Sequence, residues 1–154
     1  SVPDTRAADL KRQKEERVTK VSQFLEDQIK RGVPYVSYEE AMASIRMWAD
    51  VMTDREEMDS ILEEVSRSSH AVNGLLLGLL VCEKRNGVNI PSEGFFNLTK
   101  SLGYAYTDPV IFLKEQTIRL YEFFETPENK AKGRITWLTI GKKTRLVRSG
   151  SMTN

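Results

Sequence analysis

The chain has 154 residues, 40% of them apolar and 29% charged, and a formal net charge of +1. This length suits one domain able to bury about two thirds of its unfolded surface, and the composition excludes a disordered chain. So small a net charge excludes attraction to nucleic acid or an anionic membrane by bulk charge alone, and a lone cysteine, Cys82, with a lone histidine, His70, excludes a disulfide framework and the usual Cys/His zinc sets.

From about Arg6 to Arg31, Leu10, Val18, Val21, Leu25 and Ile29 recur at helical spacing, with Gly32 and Pro34 beyond them. The stretch from Leu10 to Lys20 is nearly all charged, so the first half of this helix is expected to project into solvent or to pair with another chain. Ser37-Tyr38-Glu39-Glu40 has the form of a capping box and opens a second predicted helix reaching about Met52, with Ala41, Ile45, Trp48 and Met52 on its core-facing stripe. Thr53-Asp54-Arg55-Glu56 repeats the pattern and launches a third, with Met58, Ile61, Leu62 and Val65 inward. A fourth helix is predicted from about Ser69 to Arg85, because Ala71 to Cys82 is almost wholly apolar. It is expected to be the central core helix, with neighbours packed closely at Gly74 and Gly78 and a left-handed stop at Asn86-Gly87. This twelve-residue run falls short of the roughly 20 apolar residues that span a bilayer.

A fifth helix is expected from about Ser92 to Leu102, stopped by Gly103. The sixth starts at Asp108-Pro109, an N-cap followed by proline at the first position, and buries Val110, Leu113, Leu120, Tyr121 and Phe124. After Thr126-Pro127, two runs rich in β-branched residues, Ile135 to Ile140 and Thr144 to Val147, flank Gly141-Lys142-Lys143 and predict a hairpin. The expected fold is therefore mainly α: a single domain of about six helices around a leucine-rich central helix, with a C-terminal β-hairpin. Residues 1–31 form the partly projecting helix, 32–127 the helical core, and 128–154 the basic hairpin and tail.

No P-loop, dinucleotide-binding turn, zinc-protease motif or nucleophile elbow is present. His70, at the start of an apolar helix, reads as structural, and Cys82 as a small core residue. What stands above background is charge segregation. Between Ser37 and Arg67 nine acids face three bases, and Asp54, Glu56, Glu57, Asp59, Glu63 and Glu64 form an acidic face that reads as solvated rather than as a hard-metal site. Between Glu128 and Arg148 seven bases (Lys130, Lys132, Arg134, Lys142, Lys143, Arg145 and Arg148) face one acid. The function expected from this pattern is that of a non-enzymatic protein-binding or assembly protein, such as a viral, phage or regulatory complex subunit, using helical surfaces and opposite-charge ends. Its partner would be a protein or a second copy, and it would need no cofactor. The alternative is a nucleic-acid binder using the basic hairpin like the wing of a winged helix, on phosphates rather than bases. The lone thiol and the absence of a basic-then-apolar leader after Ser1-Val2-Pro3 point to an intracellular, cytoplasmic location, or to the host-cell interior for a viral chain.

Overall fold

The computed structural model describes residues 5–48, 50–132, 135–140 and 143–148, with side chains described up to Lys132. The first element, α1 (Thr5–Lys30), buries Val21, Leu25 and Ile29 completely and leaves Thr5 to Gln13 exposed, as its charged first half requires. Gly32, at φ +77°, turns the chain out of it. A two-residue strand, β1 (Val36–Ser37), leads into α2 (Tyr38–Ala43), whose capping box is complete: Ser37 Oγ accepts the Glu40 N–H at 3.1 Å, and Glu40 accepts the Ser37 N–H at 3.0 Å.

Beyond α2 two sequence expectations fail. The helix stops at Ala43 and the chain turns through Arg46 at φ 59°, so Trp48 and Met52 leave the core stripe and stand in solvent. Next, α3 (Met52–Asn73) is a single long helix burying Met58, Ile61 and Val65. Its N-cap, Val51, makes no side-chain cap, so the second capping box does not form. Gly74, at φ 70°, ends α3.

The apolar run then fails as a helix but not as core. Leu75 through Cys82 are all buried, yet they form a 3₁₀ turn (Leu77–Leu80) leading into strand β2 (Val81–Arg85). Two serines of α3 serve its non-helical backbone. Ser69 Oγ donates to the Leu75 carbonyl at 2.7 Å and accepts the Leu77 N–H at 3.1 Å, while Ser66 Oγ accepts the Gly78 N–H at 2.9 Å. Close approach at Gly78 is therefore real, but to α3. A Cβ there would collide with Ser66 Oγ and lie 3.3 Å from the Leu62 carbonyl. Asn86 and Gly87, at φ 53° and 78°, make the two-residue turn into β3 (Val88–Ile90), not a helix stop. The sheet order is β1-β2-β3, with β1 parallel and β3 antiparallel to β2.

The remaining helices follow the sequence closely. In α4 (Glu93–Ser101), Phe95 and Leu98 are buried. Asp108 Oδ1 caps α5 (Pro109–Phe123) by accepting the Val110 N–H at 2.9 Å, and the helix buries Phe112, Leu113, Leu120 and Tyr121, whereas Val110 and Phe124, also expected inside, are only half-buried. A sixth, short helix, α6 (Pro127–Ala131), carries Asn129, which is fully buried. The Asn129 amide nitrogen is aimed at the carbonyls of Ile29 (3.2 Å), Phe124 (3.2 Å) and Tyr121 (3.5 Å), so α6 closes the open C-terminal end of α1. Thr126 Oγ1 and Lys132 Nζ add bonds to the Lys30 and Arg31 carbonyls, and the Tyr121 hydroxyl donates to Val33. Strands β4 (Ile135–Ile140) and β5 (Lys143–Arg148) then pair antiparallel, Ile135 opposite Arg148 and Ile140 opposite Lys143. The fold is thus mainly α, one domain with six α-helices, a three-stranded sheet and a hairpin among the described residues. No helix among those residues is long and apolar enough to cross a membrane.

Candidate functional site

Two features of the acidic half meet at the start of α3. The first is an exposed apolar surface. Trp48 is 66% exposed, Val51 40% and Met52 73%. Local hydrogen bonds hold it in shape: the Asp54 carboxylate accepts the Trp48 N–H at 3.0 Å, and the Val51 N–H reaches the Trp48 carbonyl at 3.1 Å. Helical periodicity assigned Trp48 and Met52 to the core. A signal against that assignment is present in the sequence, because a helix reaching Met52 and another launched at Thr53 leave no residues for a connecting loop between them.

The second feature is a cleft of about 460 Å³ between α3, β2 and the start of α4. Leu62, Val81, Phe95 and Leu98 give it apolar walls, and Asp59, Glu63, Glu83, Glu93, Arg55 and Arg85 bring charge to it. The Tyr38 hydroxyl donates to the Asp59 carboxylate, and the Arg55 guanidinium lies 5.1 Å from the Tyr38 ring centroid. Arg85 pairs with Glu93 at 3.2 Å, approaches Glu83 at 3.8 Å and donates to the Pro91 carbonyl at 3.0 Å. Partial burial, with the charge of Glu83 second, holds the Asp59 carboxyl above its ordinary range. Glu83 and Arg85 reach the cleft only because β2 is a strand. A signal for that was Asn86-Gly87, a dipeptide favoured in two-residue hairpin turns.

The sequence-predicted acidic face is therefore divided. Asp59 and Glu63 line the cleft, Asp54 holds the Trp48 turn, Glu56 and Glu64 are exposed, and Glu57 is half-buried. Glu63 also pairs with Arg67 at 3.0 Å. Among the described residues no three Asp, Glu, His or Cys side chains are grouped as a metal site needs. Of the basic set, Lys130 lies 3.9 Å from Glu125, while Lys132 bonds the Arg31 carbonyl and lies 3.4 Å from Glu128. Arg134 and Lys142 lie outside the described residues, and Lys143, Arg145 and Arg148 are placed as backbone in β5. The exposed face of α5 carries Glu115, Arg119 and Glu122.

His70 sits in the last turn of α3 with its ring edge-to-face on Tyr104, 5.6 Å between centroids. Cys82 is buried, and burial, with Glu83 second, pushes its thiol from 9.0 up to about 12. Neither residue lines the cleft. Compared with known proteins, the chain gives no match to a family model, to a curated protein or to a solved structure.

Proposed function

We propose that this chain is a non-enzymatic protein-binding protein that assembles with further copies of itself through its opposite-charge ends. The observation that carries this reading is the exposure of three large apolar side chains within five positions, Trp48, Val51 and Met52, beside the Trp48–Asp54 hydrogen bond. An exposed tryptophan makes an efficient anchor, because it brings a large apolar area with only two rotatable side-chain bonds, and the methionine beside it can adapt to the partner's shape. Around the anchor, residues 37–67 hold nine acids against three bases, while residues 128–148 hold seven bases against one acid. Two copies meeting head to tail would bring these charges together, so a second copy is the occupant favoured for the surface.

Mass in solution by light-scattering chromatography, at low and high salt, tests this. The expected result is an oligomer that dissociates as salt rises and is monomeric in the Trp48→Ser, Met52→Ser double variant. A wild-type chain that stays monomeric in every salt overturns self-assembly. A monomer whose mass rises only with a single-stranded or duplex oligonucleotide transfers the function to the basic segment and to phosphate.

A further inference from the structure

The surface proposed for assembly also holds an accessible sulfur. The chain has five methionines and one cysteine, and Met152 lies outside the described residues. Of the other sulfur atoms, all but one are inside: Met42 and Met58 are 0% exposed, Met47 4%, and Cys82 is buried. Burial also keeps the Cys82 thiol protonated, so the thiolate that reacts with oxidants is scarce. Met52, by contrast, is 73% exposed, at the first position of α3 and close in sequence to Trp48. A thioether needs no deprotonation to react, so exposure governs which methionine an oxidant reaches first.

With hydrogen peroxide, a lone pair on the Met52 sulfur takes one oxygen: the O–O bond breaks, an S–O bond forms, sulfur gives up two electrons, and the peroxide leaves as water. Two thiols reverse the step, leaving as a disulfide while the oxygen departs as water. The sulfoxide is polar and accepts hydrogen bonds. A contact that covers it loses the apolar gain of the methionine and must also strip water from the S–O dipole. We infer that Met52 is a reversible oxidation site, at which conversion to the sulfoxide by a peroxide blocks association through the surface around Trp48. Its consequence for association rests on the self-assembly proposed above; the choice of residue rests on exposure alone. Because association would cover Met52, oxidation acts on the separated copy.

The test treats the full chain with hydrogen peroxide at high salt and follows oxygen gain at each methionine by peptide mass. Met52 is expected to oxidise at least about tenfold faster than Met42, Met47 or Met58. Returned to low salt, the oxidised chain should associate at least about tenfold more weakly by light scattering, the scale of one apolar side chain denied burial. Met52→Leu keeps the apolar volume without the oxidisable sulfur, and should associate equally well before and after peroxide. Met52→Gln, which places a polar amide where the sulfoxide would stand, should associate weakly without peroxide. A rate at Met52 within about twofold of those at Met42 and Met58 overturns the site. Unchanged association after complete oxidation at Met52 overturns the block and leaves self-assembly standing. An equal peroxide loss in Met52→Leu also overturns it, since the lesion would then lie at another residue. An untreated wild type that is monomeric in every salt removes self-assembly and the block together, while the peptide rates still decide the oxidation site.

Discussion

Two segments of this molecule are tied to its core by opposite means. Residues 75–82 are apolar throughout and sit inside because water rejects them, while α6 is polar and places a fully buried amide, Asn129, against the end of α1. Each meets buried backbone groups that no helix or strand satisfies, the run's own amides and carbonyls in one case and the last carbonyls of α1 in the other. In the leucine run, side chains from elsewhere, Ser66 and Ser69, serve the segment's own backbone. In α6 the segment's side chains serve another element's carbonyls. Apolar content therefore reports burial and leaves backbone shape open, whereas hydrogen-bonding capacity can bury one polar side chain, Asn129, from a helix that is otherwise exposed.

The largest effect that could break this comparison is chemical. At pH 8 the Cys82 thiol, pushed to about 12, is expected to alkylate on the order of a thousandfold more slowly than a free cysteine, and to recover the free rate in denaturant. Labelling within tenfold of the free rate in the folded protein would place the end of the run at the surface. Among substitutions, Leu76→Ala, at a fully buried position, should cost about 2–5 kcal/mol in chemical denaturation. A cost below about 1 kcal/mol would mean that the run is not core. Asn129→Ala should cost less, about 1–3 kcal/mol, since it strands the Ile29 and Phe124 carbonyls while removing little apolar surface. If it cost more than Leu76→Ala, hydrogen bonding rather than apolar burial would be the dominant tie.

How much could be read from the sequence follows the same division. Elements declared by local chemistry were legible: the Ser37–Glu40 box, the Asp108-Pro109 start of α5, the span of α1, and the two halves of the hairpin. The buried faces of α3 and α5 were legible too, because periodicity and burial agree there. What failed needed information from a distance. The run from Leu75 to Cys82 abandons the helix because Ser66 and Ser69 accept and donate across a turn, and α2 stops early although its apolar stripe continues through Trp48 and Met52. The cleft inherits both failures. Asp59 was visible as an acid, but Glu83 and Arg85 face it only through β2, and Tyr38 meets Asp59 from 21 residues away. Asn129 gave no signal, since one asparagine in a polar stretch looks like any solvated one.

Trp48→Ser has the smallest expected effect on stability and the sharpest consequence. In a core stripe, as helical spacing alone would place it, this change would cost about 3–5 kcal/mol. At 66% exposure the side chain gives up little burial, and its backbone bond to Asp54 does not depend on the indole. The expected change in unfolding free energy is therefore within about 0.5 kcal/mol. The midpoint should be measured at protein concentrations low enough for the wild type to be monomeric, because any assembly would add apparent stability by mass action. A loss above about 2 kcal/mol there would return Trp48 to the interior and remove the surface on which the assembly reading stands. An unchanged midpoint together with lost assembly would mean that this tryptophan contributes to association and not to folding.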